Sequence, residues 1–454
     1  MTTALTAGDP INAVASLVIL CAAALAGWPV LWLVRYLRAD RMTRVSIRQA
    51  IRIRRGWPRL ARMTGLSVVD PAPTGLAARG RTPPPRVLVP RIRVRPDRFG
   101  VQVHLGCLPG IGLAELQRSA PYLADAWRAV RVAVTRDGPG SLRIRAVRTD
   151  PLATPTRHTP ALPEDLSRWV LGVDEYAEEV VVSLANVPGV TVAGLPGFGK
   201  TSLIYKLICD LAPSPAVQIA VADGKAATAS EGDYADLEER LFAFVGDDVA
   251  DANTLFQNLV RLRRDRSAAI RSALGVRNMW HVGPSRDWPL VVLVIDEAHT
   301  FLRDHKGGDT ATKKLASLAA DNARLVEDLV KKGRSVGIVV ILATQKATGD
   351  AIPTFIRDVC PVGLSFAQKT MEASVAALGE SIRDWPDANP VHLLDPAYVG
   401  VAVMTVQGRE GFTRVRTPEV SDADASAAVA RCTYLTHDPA ALLAYATEES
   451  TARL

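Results

Sequence analysis

Cysteine is scarce in this chain of 454 residues, and its five copies (Cys21, Cys107, Cys209, Cys360 and Cys432) stand apart, with no C-x-x-C pair. That pattern suggests neither a disulfide framework nor a cysteine zinc site, and it fits a reducing compartment. No internal repeat at a fixed period is visible, which excludes repeat architectures. Acid is nearly missing from one stretch: Arg35 to Arg98 holds 17 arginines against three aspartates, in a chain whose net charge is only +7. Such a block suits phosphates, whether of lipid headgroups or of a nucleic-acid backbone, because each guanidinium carries a permanent charge and several donors.

Charge of either sign is absent from Ile11 to Val34, a run of 24 residues, against about 20 needed to cross hydrocarbon. Asp9 precedes the run and Arg35, Arg38, Arg41 and Arg44 follow it, the reverse of a cleaved signal peptide. The positive-inside rule then places the N-terminus outside and the bulk of the chain in the cytoplasm, giving a single-pass protein of the cell membrane. Trp28 and Trp32 sit near the inner end, where indoles favour the interface, and Pro29 suits a kink there.

The expected organisation is a short extracytoplasmic N-terminus (1–10), a transmembrane helix (11–34), and a basic juxtamembrane helix with a Pro-rich linker (35–85). A small α+β domain (86–150), a second linker (151–165), a P-loop domain (166–417) and a C-terminal tail (418–454) follow. Val45, Ile47, Ile51 and Ile53 give the basic helix an imperfect apolar stripe, so that it could lie on anionic lipid. Pro83-Pro84-Pro85 ends the first linker, and Asp150 to Pro163 forms the second. Between them, alternating runs such as RVLVPRIRV and SLRIRAV flank a helical stretch at Leu113 to Val130. Beyond Leu166 the runs VTVAG, VQIAVAD, LVVLVID, GIVVILAT and GVAVMTV alternate with helical stretches and read as a mostly parallel, doubly covered α/β sheet.

Gly194-Leu195-Pro196-Gly197-Phe198-Gly199-Lys200-Thr201 fits G-x-x-x-x-G-K-[ST], directly after the strand Val190 to Ala193 and directly before a helix opening near Ser202. In that setting the glycines let backbone N–H groups curl round phosphate, Lys200 reaches the β- and γ-phosphates of ATP, and the Thr201 hydroxyl ligates Mg²⁺. The apolar run Leu290 to Ile295 ends in Asp296-Glu297: Asp296 is placed to hold the metal through water and Glu297 to polarise the attacking water. A third run, Gly337 to Leu342, ends in Ala343-Thr344-Gln345, which puts the Gln345 amide at the same sheet edge as a γ-phosphate sensor. Ring ATPases take an arginine from a neighbouring subunit, and Arg334 and Arg357 are both candidates by position.

Residues 86 to 417 resemble the motor region of the FtsK/SpoIIIE family of DNA translocases. The likeness lies in an ordered set: the lead-in Leu171-Gly172 through Leu184-Ala185 and Pro188, the P-loop, Asp223-Gly224-Lys225 (similar to the family's Asp-Pro-Lys), Leu274-Gly275-Val276-Arg277-Asn278, Gly333 through Ile338, and Leu342 through Gln345. The resemblance implies a RecA-like P-loop motor, Arg334 as the finger acting in trans, and a hexameric ring with duplex DNA through its pore. It further implies a small domain stacked on that ring. Within the family, short chains with one anchor resemble the transfer proteins of actinobacterial conjugative elements, and conjugation or division proteins are the partners this leaves open.

Three departures stand out. The stretch His299 to Asn322 lengthens the spacing between Glu297 and Arg334, and Val362-Gly363 stand where the family has an arginine. Some 37 residues follow Thr417, too few for the winged-helix reader many relatives append, so phosphate-directed, sequence-independent DNA contact is expected. The cluster Arg261, Arg263, Arg264 and Arg266 reads as a solvated or intersubunit helix face. Asp296-Glu297-Ala298-His299 also spells a DEAH helicase motif, but no second helicase lobe accompanies it, and His299 reads as a first-turn residue. The rival readings are a protein-export ATPase of the same superfamily, a chromosome-segregation translocase, and a nucleotide-binding membrane scaffold without turnover; Lys200, Thr201, Asp296 and Glu297 together argue against the scaffold.

Overall fold

The computed structural model describes Val34 and residues 36–70, 86–345, 351–409 and 411–452. The expected membrane span lies outside these residues but for Val34, and among the described residues no helix is long and apolar enough to cross a membrane. The chain divides into two compact units, Met1–Asp150 and Pro151–Leu454.

The first unit opens with helix α1 (Arg41–Met63), started by Asp40, whose carboxylate accepts from the N–H groups of Met42 and Thr43. Strands β1 (Val68–Asp70) and β2 (Arg86–Leu88) then pair antiparallel. Then β3 (Ile92–Pro96), β4 (Gly100–Gly106), helix α2 (Leu113–Trp127), β5 (Arg131–Arg136) and β6 (Ser141–Val147) form an antiparallel sheet in the order β3-β4-β6-β5. Alternation sends Val94, Val103, Ile144 and Val134 to one face, where they meet the apolar sides of both helices.

Here the expected organisation needs correction. The sequence set the basic helix apart as a juxtamembrane element; instead Ala50, Ile53, Trp57 and Ala61 of α1 are buried in this unit's core, beside Leu116 and Trp127 of α2. Of the apolar stripe, Ile47 and Ile53 are buried and Val45 and Ile51 half-buried. The Trp57 indole N–H also donates to the Pro90 carbonyl at 2.7 Å. Trp57→Ala is expected to destabilise this unit by about 3–5 kcal/mol, through lost burial, a cavity and an orphaned carbonyl; denaturant unfolding followed by intrinsic fluorescence measures it.

The second unit is built on one sheet of ten strands. In chain order the strands are β7 (Arg168–Asp174), β8 (Glu179–Ser183), β9 (Gly189–Ala193), β10 (Val217–Asp223), β11 (Leu241–Val245), β12 (Leu290–Asp296), β13 (Ile338–Thr344), β14 (Val362–Ser365), β15 (Val401–Thr405) and β16 (Phe412–Arg416). Their order is β11-β10-β12-β13-β9-β14-β15-β16-β7-β8. The first six run parallel, and the remaining pairings are antiparallel. The run GVAVMTV therefore joins the sheet as an antiparallel strand, and the sheet is mixed. Strands β9, β10, β12 and β13 are buried along their whole length, as continuous Val/Ile/Leu runs require when helices cover both faces. One face packs α3 (Lys200–Leu211) and the other packs α4 (Val249–Leu274) and α5 (Thr310–Lys332).

Two stretches read as a linker and a tail are part of this unit. Leu152 is fully buried against Val401 and Val403. After β16, helix α6 (Asp422–Val429) buries Ala425 and Val429 in the core around α3, and helix α7 (Pro439–Ala452) buries Leu443 beside α4.

Candidate nucleotide site

The chemistry gathers at the C-terminal edge of the parallel strands, where an α/β sheet opens its crevice. Between β9 and α3 the P-loop turns through left-handed glycines. Gly194 has φ +146°, and a Cβ there would come within 2.6 Å of Phe366; Gly199 has φ +106° and abuts the Gly400 backbone. Leu195 N–H donates to Ala367 and the Phe198 carbonyl accepts from Gly400, so neighbouring loops fix the loop at both ends. Lys200 caps its own loop, its amine donating to the carbonyls of Gly194 (2.6 Å) and Leu195 (3.1 Å). Burial pushes the Lys200 pKa down, against the pull of the Glu297 charge. Pro196, Gly197, Gly199, Lys200, Thr201 and Ser202 line a cavity of about 660 Å³ together with Lys225, Asp233 and Gln345.

Asp296 ends β12 fully buried, and Asp223 ends the adjacent β10 in register with it. The Asp296 carboxylate accepts from Lys225 Nζ (2.9 Å), the Tyr234 hydroxyl (3.3 Å) and the N–H of Glu297 (2.9 Å). Lys225 Nζ also lies 3.4 Å from Thr201 Oγ1 and 3.4 Å from Asp233. A cation thus stands between the P-loop hydroxyl and the buried aspartate, the place a nucleotide-bound Mg²⁺ takes in this class, and the hydroxyl and carboxylate donors suit such a hard ion. Burial opposes the Lys225 charge, but Asp296 and Asp233 outweigh it and hold its pKa above the ordinary value.

Glu297 adopts φ +49°, a left-handed conformation uncommon for a residue other than glycine, and is buried. Its Oε2 accepts from the Gln345 N–H (3.3 Å) and lies 3.0 Å from His299 Nδ1, while its buried Oε1 has no partner. A strained carboxylate with one unpartnered oxygen offers a base with a free lone pair. Gln345 stands in the cavity wall beside it.

Arg334 is elsewhere. It follows the last turn of α5 and precedes β13, so it lies at the opposite edge of the sheet, about 20 Å along a seven-residue strand. Exposed there, it is out of reach of its own P-loop. Its turn is firmly held: the Trp280 indole donates to the Arg334 carbonyl (2.8 Å), and the Trp288 indole (3.1 Å) and the Arg266 guanidinium (3.0 Å) donate to the Val336 carbonyl. The segment beginning at Leu274 delivers both tryptophans. The lengthened stretch before Arg334 is absorbed by α5, which buries Asn322, Val326 and Leu329 against α4 and the sheet. Arg357, the other finger candidate, donates to the Ala376 carbonyl at 2.9 Å. Of the arginine cluster on α4, Arg261 and Arg264 are exposed, whereas Arg263 pairs with Asp328 (2.6 Å) and Arg266 is buried over Trp288. Half of that cluster is therefore structural and not a solvated face.

Sequence reasoning missed several neighbours. Lys225 stands out in the sequence only as part of Asp223-Gly224-Lys225, and its signal is there. Glycine replaces proline at 224 because the Gly224 N–H donates to the Asp296 carbonyl and a Cβ would meet Thr300 at 2.6 Å. His299, read as a first-turn residue, touches Glu297. The far wall of the cavity comes from Pro155, Thr156, Pro396, Val399 and Glu419, from a segment read as a linker and from irregular loops without a pattern. Arg416 ties this wall together, donating to the carbonyls of Leu152, Ala397 and Val399.

Asp223 offers a pH probe. It is fully buried with Oδ2 unpartnered, and burial pushes its pKa up to about 6, the Lys225 N–H opposing and the Asp296 charge assisting. A folded pKa raised above the unfolded value means that the group's stabilising effect is present below pH about 4 and is lost as pH rises through about 6. Asp223→Asn is therefore expected to gain stability over the parent as pH goes from 4 to 7, by up to about 3 kcal/mol. Urea unfolding in a chelator, pH by pH, reads the difference.

Fold and site together define a P-loop NTPase of the α/β class. Residues 42–148 match the family model described as the actinomycete conjugal transfer protein N-terminal domain. The chain is 25% identical over 333 residues to a DNA translocase FtsK of Vibrio parahaemolyticus, spanning 64% of this chain and 30% of that protein. It is 26% identical over 318 residues to the DNA translocase FtsK of Mycobacterium tuberculosis, spanning 62% of this chain and 34% of that one. The chain thus spans about a third of the length of these curated relatives. Among solved structures, the pCW3 conjugation coupling protein TcpA, in monomer form with ATPgS, superposes with a TM-score of 0.50 at 16% identity. That match covers 88% of this chain and 99% of that one. The chain is FtsK/SpoIIIE-like, with a first unit similar to that of actinomycete conjugal transfer proteins.

Proposed function

We propose that this chain is an ATP-driven DNA translocase of conjugative transfer, anchored in the cell membrane by Ile11–Val34 with both folded units in the cytoplasm and working as a homo-oligomeric, hexameric ring on duplex DNA. The observation that carries the ATPase part is the constellation at one sheet edge: Lys200 and Thr201 on the P-loop, Asp296 behind Lys225, and a free Glu297 oxygen beside Gln345. Thr201 and Asp296 would hold Mg²⁺, which when bound neutralises charge between the β- and γ-phosphates. Lys200 leaves its loop carbonyls for the phosphates, Glu297 orients the water and takes its proton, and Gln345 senses the γ-phosphate. Arg334, too far from its own cavity, supplies charge to a neighbour's, and this requirement supports a ring.

The test is the ATPase rate of the chain from Arg35 onward, with and without duplex DNA of unrelated sequences. Residue 35 is the right start, because α1 belongs to the first unit's core. Strong stimulation by any duplex, weakened by salt, is expected of a motor that grips phosphates. Hydrolysis indifferent to DNA would sink the translocase reading and favour a protein-export ATPase.

A further inference from the structure

Six arginines of α1 carry a second reading of the basic block. Arg41, Arg48, Arg52, Arg55, Arg59 and Arg62 follow one another at spacings of seven, four, three, four and three residues, which places them on one face of a helix. All six are exposed. The opposite face is the one that buries Ala50, Ile53, Trp57 and Ala61. The helix contains no acidic residue, and none of the six has a carboxylate partner among the described residues. Arg44, which falls on the same face between Arg41 and Arg48, and Arg54, which lies off it, are committed to backbone carbonyls of Tyr36, Leu37 and Val94. The result is an unpaired line of positive charge about 31 Å long on a helix held rigid from behind.

We infer that this stripe is a docking surface for an anionic lipid bilayer, on which α1 lies flat and fixes the orientation of the first unit. This rests on the membrane part of the proposed function and deepens it. Position along the chain chooses a bilayer over other polyanions. The uncharged run ends at Val34, seven residues before Arg41 starts the stripe, so a span there delivers α1 to the headgroup layer. A plane of headgroups can meet guanidinium groups along the whole of that face at once.

The experiment uses the chain from Arg35 onward, which lacks the uncharged run but retains every core residue of both units. Flotation with vesicles of phosphatidylcholine is compared with flotation on vesicles holding about 30% phosphatidylglycerol, since each arginine near such a surface adds to binding. The expected result is at least about tenfold more binding to the anionic vesicles, reversed by salt. It should be lost in the Arg48→Gln, Arg52→Gln, Arg55→Gln, Arg59→Gln variant, and kept when the same four become Lys. The neutral variant should melt with the parent, because these exposed side chains make no ion pair or hydrogen bond among the described residues. Equal binding to both vesicles, or undiminished binding by the neutral variant, overturns the inference. So does a neutral variant that keeps vesicles and loses duplex DNA, which would assign the stripe to DNA. The anchor is tested apart: full-length chain resisting alkaline extraction from membranes, with no lipid preference in the shortened chain, leaves the anchor standing and removes the stripe.

Discussion

Glu297→Gln is expected to lower ATP turnover by about 10²–10⁴-fold while leaving nucleotide affinity close to that of the parent. The amide is isosteric, so the contact from the Gln345 N–H to Oε2 has an oxygen to meet. What disappears is the lone pair on Oε1, which no protein group uses. The φ of +49° costs energy in a non-glycine residue, on the order of 1 kcal/mol. The fold sustains it through the Glu297 N–H donated to Asp296 and the Ala298 N–H donated to Ala343. Glu297→Gly should accordingly be as inactive as the Gln variant and no less stable, for it removes both carboxylate and strain. Single-turnover hydrolysis beside equilibrium binding of a fluorescent nucleotide separates the two effects. Turnover by Glu297→Gln at the parental rate would place the base elsewhere and leave the strain without a purpose.

The motifs tied to strands were legible because a buried parallel strand announces itself: β9, β12 and β13 are unbroken Val/Ile/Leu runs, and each ends in its chemical residues at the same sheet edge. Gly194, Asp296 and Gln345 could be placed for that reason. Irregular backbone carries no such period. Pro155, Thr156, Pro396 and Val399 were invisible as cavity wall, since turns and linkers share one composition. Helix α1 was misjudged for a subtler reason. Its arginines dominate its composition, yet half of its circumference is apolar or small, and composition does not say what that half packs against. The cluster on α4 misled in the same way, because Arg263 and Arg266 found Asp328 and Trp288 on elements distant in sequence. Antiparallel pairing of β15 was equally out of reach, as its residues would suit either direction.

Lys225→Met should produce the second large effect, and in stability before activity. Asp296 is wholly buried, and among the described residues the only cation within salt-bridge distance of it is Lys225, at 2.9 Å. Removing the amine leaves the carboxylate with the Tyr234 hydroxyl at 3.3 Å and the N–H of Glu297, two neutral donors for a buried charge. Breaking a buried pair from one side costs about 3–5 kcal/mol, and the partial exposure of Lys225 points to the lower end. Methionine keeps most of the stem's volume, so the loss reports charge and not a cavity. Denaturant unfolding in a chelator measures it, and adding Asp296→Asn to Lys225→Met should restore most of the loss, because the buried charge is then gone as well. Magnesium with a non-hydrolysable ATP analogue should also narrow the gap between parent and variant, since ligand binding to the folded state stabilises it and returns positive charge to Asp296. A variant as stable as the parent without ligand would show that Asp296 does not depend on Lys225. Equal stabilisation of parent and variant by the nucleotide would show that Lys225 and the metal do not share the place between Thr201 and Asp296.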